Sequence, residues 1–156
     1  MLSISSEKLQ ELRRLSADIR IETIRTISSA GFGHIGGSAS IADVLAVLYG
    51  AVMRVDPQNP QWEDRDWLVL SKGHSGPALY ATLAIKGFFP KEWLKTLNAP
   101  GTQLPSHADR TRTPGVDMTT GSLGQGISSA VGIAIDNRLK GIDIFTYCIF
   151  GDGECN

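Results

Sequence analysis

The sequence is poor in several things, and each shortage removes a class of function. Two cysteines occur among the 156 residues. Cys148 and Cys155, with no histidine or third cysteine beside them, fit neither a disulfide framework nor a zinc knuckle. A reducing, cytoplasmic compartment is the expectation. Charge of one sign is not in excess: fifteen Lys plus Arg against sixteen Asp plus Glu leave a formal charge of −1. A global basic field for nucleic acid or anionic lipid is therefore missing, so neither partner is expected and any anion must be bound locally. Between Met1 and Arg20 the residues Glu7, Lys8, Glu11, Arg13, Arg14 and Asp18 break any apolar core of a secretory signal. No uninterrupted run of about twenty apolar residues suggests a membrane span. With 42% hydrophobic and 20% charged residues, the composition is that of a globular chain with one core, and no internal repeat divides it.

What is present reads as alternating helices and strands. Leu9, Leu12, Leu15, Ile19, Ile24 and Ile27 recur at helical intervals and predict an amphipathic helix from about Ser5 to Ala30, stopped by Gly31. A second helix is expected from Ser40, which has capping-box spacing to Asp43, with Ile41, Val44, Leu45, Leu48 and Tyr49 on its apolar face. Trp67–Leu70 reads as a buried strand. Pro77 sits in the first turn of the helix that follows, and Gly87 ends it. Phe88 to Leu97 adds a short helix. Ala99 to Gly121 carries Pro100, Gly101, Pro105, Pro114 and Gly115 and must be mostly loop, of a length that usually serves function. Leu123 to Lys140 is a small-residue helix closed by Gly141. Ile142 to Phe150 has the pattern of a strand buried on both faces. The fold class is α/β, a parallel sheet flanked by helices, and ligands of such folds sit beyond the carboxyl ends of the strands.

Two unusual polar stretches follow the expected strands: Ser71-Lys72-Gly73-His74 and Gly151-Asp152-Gly153. The second places a carboxylate between two glycines, where it is either an ordinary turn or a ligand for Mg²⁺, an ion that takes one or two carboxylates with phosphate oxygens and water. Gly121-Ser122-Leu123-Gly124-Gln125-Gly126 leads into a helix whose free N–H groups suit a diphosphate, or else packs tightly through glycine. Gly31-Phe32-Gly33-His34-Ile35-Gly36 matches the dinucleotide fingerprint but follows a helix rather than a strand, and is rejected as a nucleotide site. His34, His74 and His107 all lie in glycine- or proline-flanked loops, where they are surface residues or a set converging on one crevice to bond hydroxyls and move protons. A zinc site would need all three to meet.

Taken in order, Gly33-His34-Ile35-Gly36-Gly37-Ser38, Leu70-Ser71-Lys72-Gly73-His74, Pro105-Ser106-His107, Thr119 through Gly126 and Gly151-Asp152-Gly153-Glu154 resemble the thiamine-diphosphate-binding domain of the transketolase family. The resemblance runs from about residue 10 to Asn156. It implies transfer of a two-carbon ketol unit between sugar phosphates, with thiamine diphosphate carrying the carbon chemistry and Mg²⁺ held by Asp152. By position it implies His34, His74 and His107 as catalytic side chains. His74, Gly121, Ser122, Leu123, Gly153 and Glu154 would meet the cofactor.

The family's metal motif continues past Gly-Asp-Gly to a later Asn, for which Asn156 comes too early. A further substrate histidine, the rest of the sheet and the pyrimidine-binding domain with its activating Glu also lie outside these residues. The resemblance thus implies a partial domain over residues 1–156, inactive alone, similar to the N-terminal subunit of split bacterial transketolases. Its expected partner is a C-terminal subunit or domain, in a homodimer or heterotetramer. Other thiamine-diphosphate enzymes remain alternatives: deoxyxylulose-phosphate synthase, dihydroxyacetone synthase or a phosphoketolase. So does a non-catalytic remnant. Lys72-Gly73-His74 and Thr120 to Gly126 favour transketolase over the first of these. Arg110 and Arg112 read as solvated loop charges.

Overall fold

Ser5 starts the first helix: its hydroxyl accepts the Lys8 N–H at 3.1 Å, satisfying one of the donors a helix start leaves open. In the computed structural model, which describes residues 4–156, helix α1 then runs over Ser6–Ala30 and ends at Gly31 in the left-handed region (φ 78°). The first three positions of the Met1–Arg20 stretch lie outside the described residues. The buried stripe of α1 is Leu12, Ser16, Ile19, Thr23, Thr26 and Ile27. Leu9 and Ile24, expected on that stripe, are 45% and 52% exposed. Ile24 follows Ile19 by five residues, about 140° beyond a full turn, while Thr23 follows it by four and falls in line.

The second helical region departs further from expectation. A short helix α2 covers Ile35–Ala39, and α3 covers Ala42–Val47 before loosening into a π turn over Leu48–Val52. Ser40 does not cap α3. Its hydroxyl donates to the Gly37 carbonyl at 2.9 Å and accepts the Lys72 ammonium at 2.9 Å. Asp43 is likewise engaged, by the Ser16 hydroxyl at 2.5 Å and by Arg20 at 2.6 Å. Of the expected apolar face, Ile41, Leu45 and Tyr49 are buried and Val44 is exposed. Ile35–Val52 is long and apolar enough to cross a membrane by length and composition, with a mean hydropathy of 1.6 over 18 residues. The structure divides that stretch into three helical pieces, and Ile41, Ala42, Leu45, Ala46 and Tyr49 join the core.

The hydrogen bonds from Arg20, with help from Ser16, hold the Asp43 carboxyl at about 2, below its usual 3.8. A carboxyl depressed by folding stabilises the native state above its unfolded pKa and loses that contribution as pH falls through the folded value. The window here is about pH 4 down to 2. Both side chains are largely solvated, so the effect is small and salt-screened. Asp43→Asn is expected to lower stability slightly at neutral pH and to flatten the acid limb, so that the variant and wild type converge as pH falls through the window, as read by urea denaturation from pH 2 to 7.

Strand β1 (Trp67–Leu70) and strand β2 (Thr146–Ile149) pair in parallel, in the register Trp67 to Thr146 and Leu70 to Ile149. Between them come helix α4 (Gly76–Lys86), a 3-10 turn over Lys91–Thr96, and helix α5 (Gln125–Leu139). Residues Gly76 to Ala84 of α4 are all buried, and this helix forms the centre of a single core with α1, α3 and β1. Strand β2 is shorter than its apolar run and only half-buried, with Ile149 alone fully enclosed. Thr146 to Cys148 stay partly exposed, so the burial on both faces expected from its composition is not met among the described residues.

Candidate functional site

In-register pairing to Leu70 and Ile149 brings the chain out of both strands at one edge. What happens at that edge is governed by backbone packing. A β-carbon on Gly126 would lie 2.5 Å from the Ser71 Cα, and one on Gly73 would lie 2.7 Å from the Thr120 carbonyl oxygen. Neither position tolerates a side chain. The first turn of α5 is thereby pressed on the end of β1, and the Lys72–Ser75 turn on Thr120-Gly121. The Thr120 hydroxyl adds a bond to the Leu70 carbonyl at 2.6 Å.

The three histidines gather around this junction. The His34 and His74 rings lie 5.1 Å apart, edge to face. A β-carbon on Gly37 would stand 2.9 Å from His74 Nε2, and one on Gly121 would stand 3.3 Å from the His107 ring. His74 is half-buried, while His34 and His107 are exposed. Burial lowers the pKa of His74, and His34, Lys72 and His107 push the same way against the opposing pull of Glu154. Its imidazole is therefore neutral at physiological pH, with one nitrogen donating and the other accepting. Lys72 donates to the Gly37 carbonyl at 3.0 Å and so ties α2 to the turn carrying His74. Burial lowers its pKa too, with Glu154 opposing.

Glu154 joins the remaining segments. Its carboxylate accepts the Ser71 hydroxyl at 2.7 Å, the Gly124 N–H at 2.9 Å and the Gly151 N–H at 2.7 Å. Burial raises this carboxyl, but the Gly124 and Gly151 N–H groups, the Ser71 hydroxyl and His74 together bring it below the usual range. Just before Gly124, the N–H groups of Gly121, Ser122 and Leu123 meet no protein acceptor among the described residues. Gly121 and Ser122, but not Leu123, line a pocket of about 290 Å³ together with Met118 to Thr120, Gln125, Gly126 and Ser129. Leu123 and Asp152 are exposed, and Asp152 opens the Asp152–Cys155 turn at the end of β2. Among the described residues no three His, Cys, Asp or Glu side chains cluster as a metal site, so the three histidines do not form a zinc centre by themselves. A larger surface hollow, about 530 Å³ between α1 and the end of α4, contains none of these motif residues.

Two supporting residues carry no local motif. Tyr80, the largest fully buried side chain, donates to the carbonyls of Pro105 and His107 at 2.9 and 3.1 Å and so anchors the loop bearing His107. Its only sequence signal is a phenol on the inward face of an otherwise apolar helix. Asp117 accepts the Leu68 N–H and two bonds from Arg65, fixing the same loop to β1. Arg65 and Asp117 are 52 positions apart, and no spacing rule links them. Arg110 and Arg112 are exposed, as a solvated reading requires.

Comparison with known proteins identifies the family. Residues 12–156 match the family described as transketolase, thiamine diphosphate binding domain. The chain is 56% identical over 149 residues to the 6-deoxy-6-sulfo-D-fructose transketolase subunit SqwG of Clostridium sp. (strain MSTE9), covering 96% of this chain and 54% of that protein. It is 40% identical to an apulose-4-phosphate transketolase subunit of Phocaeicola vulgatus, covering 94% and 52%. Transketolase from Leishmania mexicana superposes with a TM-score of 0.87 at 36% identity, over 92% of this chain and 23% of that one. The chain thus spans about half the length of the curated subunits it matches. By the match over residues 12–156 and the shared α/β fold, it belongs to the transketolase family, within the thiamine diphosphate binding domain.

Proposed function

We propose that this chain supplies the diphosphate side of a transketolase active site that moves a two-carbon ketol unit between sugar phosphates. The observation that carries the reading is the junction itself: the ends of β1 and β2, the turn entering α5 and the His107 loop meet at one rim. The residues present fit the cofactor. Gly121, Ser122 and Leu123 offer unengaged N–H groups at the positive end of a fifteen-residue helix, a setting that favours a diphosphate. Gly153 has open space where a side chain would stand, leaving its backbone approachable. Asp152, exposed on the turn after β2, would hold Mg²⁺ as a lone carboxylate, with phosphate oxygens and water filling the other positions.

Thiamine diphosphate, when bound, supplies the stabilisation of negative charge at carbon that ketol transfer needs. The chain's own part is orientation and proton handling. His74, kept neutral chiefly by burial with Lys72 pushing the same way, can donate one hydrogen bond and accept another beside the cofactor. His34, exposed beside His74, and His107, exposed beside Gly121, would bond sugar hydroxyls and take up or release a proton as the carbon–carbon bond breaks. The activating Glu would come from a separate C-terminal polypeptide or domain, in a homodimer or heterotetramer, since the similar proteins are about twice this length and are named as subunits. Cys148 and Cys155 are free thiols, which supports a cytoplasmic setting. Neither nucleic acid nor a membrane enters this reading.

The 56% identity to a protein named for 6-deoxy-6-sulfo-D-fructose, against 40% for the one named for apulose 4-phosphate, favours a second reading of the donor. In that reading a sulfonate takes the place of the donor's phosphate. Assaying the assembled enzyme with xylulose 5-phosphate, fructose 6-phosphate and 6-deoxy-6-sulfofructose separates the two, and inactivity towards all three would refute ketol transfer. His74→Ala is expected to weaken thiamine diphosphate binding several-fold more than His107→Ala, measured by calorimetry at saturating Mg²⁺. Equal affinities in the two variants would count against the assigned roles.

A further inference from the structure

Glu154 lies next to the Gly151–Gly153 turn, yet its side chain is turned inward onto protein. Oε1 accepts both the Ser71 hydroxyl and the Gly124 N–H, and Oε2 accepts the Gly151 N–H. The three donors come from three separate segments: the end of β1, the turn entering α5, and the end of β2. Gly124 adopts φ +85°, the left-handed conformation that glycine reaches without strain, and its N–H is the one turned to the carboxylate. An ionised carboxylate only accepts hydrogen bonds. With both oxygens engaged by protein donors it has nothing to offer a diphosphate, itself an acceptor and an anion, so the cofactor contact that the sequence resemblance implies for Glu154 is not one its side chain can make. Direct contact between the two would be repulsive.

We propose that Glu154 is a positioning residue: it touches no ligand, but sets the Gly121–Leu123 turn against the ends of both strands so that its N–H groups are aimed before the cofactor arrives. The inference rests on the cofactor reading above. Bonds to a charged acceptor are stronger than neutral ones, and three of them drawn from three segments make one side chain the common tie. The affinity gained is that of preorganisation: a turn already ordered does not have to be ordered by the ligand.

Glu154→Gln keeps the shape of the side chain but replaces one accepting oxygen with a donating amide, so at least one of the three bonds is lost. In the assembled enzyme the thiamine diphosphate Kd at saturating Mg²⁺ is expected to rise about tenfold, the order set by one hydrogen bond to a charged group. Amide hydrogen exchange across residues 121–126 should speed up in the cofactor-free protein. At saturating cofactor, kcat should stay within about twofold of wild type, because no group at the reacting atoms has changed.

Ser71→Ala, which removes one donor from the same carboxylate, should shift Kd and local exchange in the same direction, and it carries the test if Glu154→Gln does not fold. A raised Kd with unchanged exchange in the cofactor-free protein would mean direct contact and would overturn the proposal. Unchanged Kd in both variants would do so as well, as would faster exchange spread evenly over α1 and α4. If wild-type protein does not bind thiamine diphosphate at all, the cofactor reading falls, and this proposal with it.

Discussion

Asp117→Ala is expected to destabilise the protein by about 3–5 kcal/mol, the usual cost of leaving one member of a buried ion pair without its partner. Arg65 and Asp117 are only 8% and 6% exposed, and their closest approach is 2.8 Å. The carboxylate also accepts the Leu68 N–H at 2.8 Å, so its loss orphans a strand donor as well as a guanidinium. Arg65 would keep its bond to the Trp62 carbonyl and its stacking over Trp67, 4.7 Å from the ring centroid, but neither supplies a negative charge. The pair itself is not a large asset. Burial pushes the Asp117 carboxyl up, and the Leu68 N–H and Arg65 do not fully offset it. Replacing both residues by apolar ones of similar size should therefore cost much less than the single change. Chemical denaturation of the single and double variants measures both, and equal losses would refute the pairing argument.

Gly126→Ala is expected to cost about 3 kcal/mol, at the upper end for overpacking, because the added methyl would meet backbone rather than a movable side-chain tip. The atom in its way is the Ser71 Cα at 2.5 Å. Relief requires α5 to lift from the end of β1, which also pulls Gly124 from Glu154, so stability and cofactor affinity should fall together. Gly132→Ala is the internal comparison. It lies in the same helix with nothing within 4 Å of an added β-carbon, and should stabilise by roughly 0.5–1 kcal/mol through helix propensity alone. If calorimetric unfolding gave the two variants the same sign of change, the close contact of α5 with β1 would be wrong.

Periodicity and punctuation made much of this fold legible. Ser5, Gly31, Pro77 and Gly87 bound helices α1 and α4 where their chemistry predicts, and Trp67–Leu70 is the strand its composition describes. What escaped were elements whose reason is tertiary. Helix α2 holds two glycines in five residues and has no apolar period. Gly37 is wanted there because any side chain would strike His74. Ser40 and Asp43 have the spacing of a capping box, but Lys72 and Arg20 offer charged partners from elsewhere in the chain, and a local cap does not compete with them. The site was legible for a different reason. Its glycines and histidines stand in short ordered motifs, whereas two residues holding those motifs in place, Tyr80 and Asp117, are each tied to partners 25 or more positions away.

The segment from Ala99 to Gly121 has no helix or strand, yet it is held as firmly as one. Leu104 and Ala108 are wholly buried, Thr113 bonds the Gln103 carbonyl, Thr120 bonds the Ala108 carbonyl, and Tyr80 grips both sides of Ser106. The entropy of fixing such a stretch is lost once, when the chain folds. His107 then waits in place, and a sugar arriving beside it meets a surface with little left to rearrange. Selectivity at that position should accordingly reflect fit to a fixed shape, and loosening the Tyr80 anchor would broaden what is accepted before it slowed the chemistry.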